Sequence, residues 1–131
     1  MSQSKNVRNY AKEILSLINE ANELFNSVSE EWSRLDNEFN DLTHAFELLK
    51  LNAADMARIG SDLKRNRIER RKCKEEVERL KSLISWTEEN KLLINNLKGV
   101  STHADRIIKQ QSERMYTPRV RTDLTKRFRG V

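Results

Sequence analysis

The sequence predicts an all-α protein: a long antiparallel coiled-coil helical hairpin, a short third helix and a basic C-terminal tail. Three observations carry this expectation. Apolar residues recur at coiled-coil spacing, helix-breaking residues are scarce, and the composition changes after Tyr116.

The first helix rests on an unbroken rhythm. Val7, Ala11, Ile14, Ile18, Ala21, Phe25, Val28, Trp32, Leu35, Phe39, Leu42, Phe46 and Leu49 alternate spacings of four and three, which places them along one side of a helix as a coiled-coil seam. A helix carrying that seam is roughly 60 Å long at about 1.5 Å per residue and depends on partners along its length. The seam mixes small Ala11 and Ala21 with large Phe25, Trp32, Phe39 and Phe46. Simple parallel dimers prefer more regular knobs, so a bundle of dissimilar helices is expected. Tyr10, Leu15, Leu17, Leu24, Ala45 and Leu48 widen the stripe beyond a two-helix contact.

The bend is expected between residues 52 and 62. Asn52 can cap a new helix with Asp55 three residues on, and Gly60, Ser61 and Asp62 offer a second stop and start. The position near Gly60 is favoured, with Leu51, Met56 and Ile59 able to form a short closing helix. The second long helix then runs from about Asp62 to Lys98, with Leu63, Cys73, Val77, Leu80, Ile84, Leu93 and Leu97 inward. Gly99 ends it, and Ser101 or Thr102 caps a third helix holding Ala104, Ile107, Ile108 and Met115. Pro118 blocks further helix, and the tail carries Arg119, Arg121, Lys126, Arg127 and Arg129 against Asp123. Val120, Leu124 and Phe128 recur every four residues, so the tail can dock as a short amphipathic turn. The expected division is a helical bundle over 1–115 and a basic tail over 116–131.

Composition narrows the class. A hydrophobic share of 37% with 34% charged residues fits long amphipathic helices, and three Gly with one Pro leave too few turns for a sheet-rich fold. The lone Cys73 excludes an internal disulfide and a multi-cysteine metal site, and its heptad spacing from Val77 reads as a small buried hydrophobe. No apolar run resembles a signal peptide or membrane span, so a cytoplasmic protein without membrane partners is expected. The net charge of +5 divides unevenly: residues 1–60 sum to −4 and residues 61–131 to +9. Halves of opposite sign favour folding back on each other, and the surplus positive charge calls for an acidic partner.

Catalytic signals are weak. His44 and His103 lack companions at metal-binding or catalytic spacing, and no Gly-rich phosphate loop exists. The run Ser101, Thr102, His103, Ala104, Asp105 holds triad letters, but its neighbours point in different directions on a helix start and read as capping. Pairs such as Glu30 with Glu31, Glu75 with Glu76 and Glu88 with Glu89 read as solvated faces, with Glu75 reaching Arg79. Neither an enzyme nor a cofactor or metal site is expected.

One local signal exceeds background. Lys64, Arg65, Arg67, Arg70, Arg71, Lys72 and Lys74 fall within eleven residues, Ile68 is the only apolar residue between Lys64 and Lys72, and the stretch is expected to be basic on nearly every face of the helix. Pairing with first-helix acids such as Asp41 and Glu47 is the structural reading. Contact with phosphate or an acidic protein through forked Arg pairs is the functional one. Aromatic platforms are absent there, and only Tyr116 and Phe128 accompany the tail cations, which argues against base stacking. Trp32 belongs to the seam, whereas Trp86 lies off it and is either buried under the third helix or an interface candidate.

The stretch Asp41-Leu42-Thr43-His44-Ala45-Phe46-Glu47-Leu48, continuing through Leu51-Asn52-Ala53-Ala54, together with Arg70-Arg71-Lys72-Cys73-Lys74-Glu75-Glu76-Val77-Glu78-Arg79-Leu80, resembles small uncharacterised helical proteins of phages and prophages of Gram-positive bacteria. The tail Tyr116-Thr117-Pro118-Arg119-Val120-Arg121 is similar to theirs too. The resemblance implies a mobile-element origin and no known activity.

The leading expectation is a non-catalytic helical protein-interaction module, such as a phage-encoded modulator or inhibitor of a host or defence protein. Its partner would be a host or phage protein with an acidic surface, or a nucleic-acid-bound complex. A nucleic-acid-binding or packaging accessory protein using the basic helix and tail is the alternative. A self-assembling structural coiled coil, for instance a homodimer that covers the seam with a second chain, is the third.

Overall fold

Asn9 begins the first helix. Its side-chain oxygen accepts the Lys12 N–H at 3.2 Å, which satisfies one of the unpaired donors of a helix start. The structure, a computed structural model, describes residues 7–129 and is helical with no strand among them. Helix α1 runs Tyr10–Leu48, α2 Ala53–Glu89, α3 Lys91–Ser112 and α4 Thr125–Arg129, the last preceded by a 3-10 turn at Thr122–Leu124. The seam explains the 39 residues of α1. Its positions from Ile18 to Leu42 are all partly or fully buried, and Leu35 in their midst is wholly so.

The two long helices pack against each other. They are joined at residues 49–52, two to three helical turns earlier than the favoured bend near Gly60. Asn52 is the cap: its side chain accepts the Asp55 N–H at 2.8 Å, and Asp55 sits in the first turn, where a carboxylate suits the helix dipole. Gly60 lies inside α2. A glycine there costs about 1 kcal/mol relative to alanine, a penalty that an otherwise uninterrupted 37-residue helix absorbs.

The next boundary also differs from expectation. Helix α2 ends at Glu89, and Gly99 and Ser101 lie within α3. The break falls at Asn90, whose backbone leaves helical geometry (φ −121°, ψ 35°) while its side-chain amide donates to Trp86 O at 2.8 Å. Thr87, a turn before the break, likewise donates its hydroxyl to Ile84 O at 2.7 Å. Leu93 and Leu97, expected on the second helix, therefore belong to α3.

Two compact units are present, one comprising Ser16–Lys91 and the other the chain up to Leu15 together with the chain from Leu92 onward. In the second of these, Asn9 donates its amide to Ser101 O at 2.8 Å and to Asp105 Oδ1 at 3.1 Å, and Lys12 Nζ lies 3.7 Å from Asp105 Oδ2. The run containing Ser101, His103 and Asp105 thus ties the start of α1 to α3 and caps nothing itself. The apolar residues expected to widen the α1 stripe divide: Leu15 and Ala45 are partly covered, while Tyr10, Leu17, Leu24 and Leu48 are exposed.

Candidate functional site: a basic face on the second long helix

The basic run of α2 separates into an inward and an outward part. Counting back from Ile84 in steps of four and three through Leu80, Val77 and Cys73 reaches Arg70, Asn66 and Leu63, and all seven are partly or fully buried. The seam of α2 thus continues through the basic segment with polar side chains in two of its positions. Neither Asn66 nor Arg70 reads as a seam residue from its type, but extending the rhythm of the apolar half identifies both.

Asn66 is wholly buried. Its amide donates to the backbone oxygen of Leu35 and to Glu38 Oε1, both at 2.9 Å, and its own oxygen has no partner among the described residues. Glu38 also receives Arg65 Nη2 at 3.2 Å and lies 3.9 Å from Arg34 Nη1. The Asn66 amide is the main cause holding the Glu38 carboxyl below its ordinary range. Desolvation opposes it, and Arg65 and Arg34 reinforce it. Arg70 lays its guanidinium 4.1 Å from the centre of the Phe39 ring and reaches Asp36 Oδ1 at 3.4 Å. Stacking of this kind contributes about 0.5–1 kcal/mol at a partly exposed site. Its Nε is buried without a partner among the described residues.

First-helix acids therefore do meet the basic run, but through Asp36 and Glu38 rather than Asp41 and Glu47. The reason is the earlier bend: with the connection at 49–52, residues 65–70 face the turn of α1 at 36–38. Further along, Arg79 pairs with Glu76 at three-residue spacing, not with Glu75.

Lys64, Arg67, Arg71, Lys72 and Lys74 remain exposed, and among the described residues no carboxylate lies within ion-pair distance of them. Lys64, Arg67, Arg71 and Lys74 follow spacings of three, four and three, so they form a line about 15 Å long on one side of α2. The segment is thus not basic all round: four of its exposed cations share this stripe, Arg65 and Lys72 lie on another line, and the side toward α1 holds Asn66, Arg70 and Cys73. Beside the stripe opens a depression of about 460 Å³ lined by Phe39, Thr43, Leu63, Lys64, Arg67 and Arg70.

Trp86 is 45% exposed, three residues after the exposed Leu83. It follows Arg65, Lys72 and Arg79 at seven-residue steps, on a different line of the helix from the stripe. Phe46, Leu48, Leu49 and Met56 are also exposed around the α1–α2 connection. Sequence reading assigned Phe46 and Leu49 to the seam and missed their exposure.

The tail forms a local structure of its own. Tyr116 meets Phe128 edge-on with ring centres 5.2 Å apart, Pro118 is buried and Leu124 half-buried, while Val120 stays exposed. A depression of about 280 Å³ lies among these residues. Arg121 forks onto Asp123 through bonds of 2.9 and 2.7 Å, which raises the affinity of its guanidinium for its proton and lowers that of the Asp123 carboxyl. Arg119, Lys126, Arg127 and Arg129 are exposed.

Cys73 is half-buried on the seam. Desolvation first, then Glu31 and Glu69, push its thiol up, which disfavours the reactive thiolate at neutral pH. No helix among the described residues is long and apolar enough to cross a membrane, and no cluster of three or more His, Cys, Asp or Glu is arranged to hold a metal ion among them. Comparison with known protein families, with curated proteins and with solved structures finds no match.

Proposed function

We propose that this chain is a non-catalytic interaction module, an antiparallel coiled-coil hairpin that presents the basic stripe of α2 to an acidic protein surface. The observation that carries the reading is the line Lys64, Arg67, Arg71, Lys74. These four cations share one exposed face and have no carboxylate within ion-pair distance among the described residues. Cations spaced this way along one face of a helix steer and orient a partner of opposite sign. Resemblance to small phage and prophage proteins supports placing it on a mobile element, as a modulator of a host or defence protein in the cytoplasm.

The test uses tagged protein recovered from its native cells, wild type beside Arg67→Glu/Arg71→Glu, with quantitative mass spectrometry of bound proteins. At least one protein should be held by the wild type and lost with the double reversal. Partners bound equally by both forms would remove the stripe from the function.

The same cations favour a second reading, binding of nucleic acid through phosphates, with Arg119, Lys126, Arg127 and Arg129 contributing from the tail. That reading demands an affinity for random duplex that falls steeply with salt and a slope that the double reversal flattens.

A further inference from the structure

The stripe alone would suit any polyanion, but what lies beside it is selective. The depression next to Lys64 and Arg67 is floored by Phe39 and Leu63, walled by Arg70 on Phe39, and edged by Thr43, whose hydroxyl donates to Asn40 O at 3.0 Å. Its size, about 460 Å³, falls in the range of roughly 300–1,000 Å³ typical of clefts that receive a ligand group. An occupant must present an apolar group to the floor while placing negative charge against the rim.

Resting on the interaction-module reading, we infer that the partner segment is an acidic amphipathic helix lying along α2, with one large apolar side chain seated in this depression. Acids at spacings of three and four on that helix would match Lys64, Arg67, Arg71 and Lys74, because both elements then share the same periodicity. A nucleic-acid duplex would engage the same cations and leave the Phe39 and Leu63 floor empty, so the apolar surface beside the charge decides between the two.

The probes are two fluorescein-labelled synthetic helical peptides of about 20 residues, long enough to span the stripe. Each carries Glu at alternating spacings of three and four. One has Leu and the other Ser at the central position facing the depression. Binding is read by anisotropy with the full chain in moderate salt. The Leu peptide should bind about tenfold more tightly than the Ser peptide, at least half of what full burial of a leucine provides. Thr43→Trp, which places an indole across the depression, should erase that preference. Thr43→Met is the milder filling should the tryptophan disturb folding, checked by far-ultraviolet circular dichroism.

Equal binding of the two peptides, or a preference that survives both fillings, would overturn the inference and leave the basic stripe standing as a contact surface. Indifference of both peptides to Arg67→Glu/Arg71→Glu would overturn the stripe as well. Tighter binding of a 20-base-pair duplex than of the Leu peptide in the same salt would replace the acidic helix with nucleic acid.

Discussion

The two halves of α2 solve one packing problem with different side chains. From Val77 to Ile84 its buried side is apolar: Val77, Leu80, Ile84. From Leu63 to Cys73 the same positions hold Leu63, Asn66, Arg70 and Cys73, and the contact with α1 runs through hydrogen bonds to Leu35 O, Glu38 and Asp36. Apolar seams are held by area and tolerate sliding, whereas a buried amide that must find one carbonyl and one carboxylate accepts a single alignment. The polar half therefore fixes where the helices meet. The same half carries the exposed stripe, so the element that sets alignment also sets where the outward cations stand.

The sharpest way to break this contrast is to remove the anchor of each half. Leu35→Ala deletes a side chain with no solvent exposure and should cost about 2–5 kcal/mol of unfolding free energy. Ile84→Ala, at a position 9% exposed in the apolar half, should cost a comparable amount. Only Leu35→Ala should move the Asn66 side-chain amide resonances, since Asn66 bonds to the backbone of residue 35. Equal perturbation of those resonances by both substitutions, as followed by NMR alongside thermal unfolding, would show that the halves are not distinct.

How much of this was legible depended on whether apolar periodicity carried the information. The α1 seam from Ile18 to Leu42 is readable because thirteen apolar residues keep one rhythm with no competing signal. Its two ends are not, because Ile14, Phe46 and Leu49 continue the pattern yet stand about half exposed. The bend was misplaced because Gly60 is the louder letter, while the Asn52 cap works through one side-chain bond to Asp55. The break at Asn90 has no Gly or Pro. Thr87 and Asn90 instead turn their side chains onto carbonyls of their own helix, competition that residue type alone shows faintly. For the candidate site, the cluster of cations was plain in the sequence. Its division into Arg65 and Arg70, held by α1, and the outward Lys64, Arg67, Arg71 and Lys74 depended on the alignment that Asn66 sets.

A smaller effect follows from Asn66 itself. Its side-chain oxygen is buried without a partner among the described residues, so the amide stabilises less than its two donated bonds suggest. Asn66→Leu would make the polar half resemble the apolar one, exchanging an unpartnered buried oxygen and two donated bonds for apolar packing, and should shift stability by no more than about 1–2 kcal/mol. The exchange should come with a looser alignment. Spin labels at exposed positions of α1 and α2 should give a single narrow distance in the wild type and a broader or split distribution in Asn66→Leu. A destabilised variant that keeps the narrow distance would mean that Asn66 is a plain stabilising contact with no part in alignment.

The smallest expected effect is a dependence on pH confined to the polar half. Glu38 has its carboxyl depressed in the folded chain, first by the Asn66 amide and then, against the cost of desolvation, by Arg65 and Arg34. A depressed carboxyl stabilises the fold above its unfolded value, and that contribution disappears as pH falls through the folded value. Stability should thus begin to decline near the ordinary glutamate value of 4.5 and continue downward. Glu38→Gln should flatten part of that decline and leave the remainder, because Glu31 beside Arg34 and Glu13 beside Arg8 are depressed as well. In the Asn66→Leu background the Glu38→Gln change should matter less, since the largest cause of the shift is already gone. Denaturant midpoints of the four proteins between pH 6 and 2 measure this coupling. Equal flattening by Glu38→Gln in both backgrounds would place the origin of the shift in the arginines and detach the acid response from the alignment of the helices.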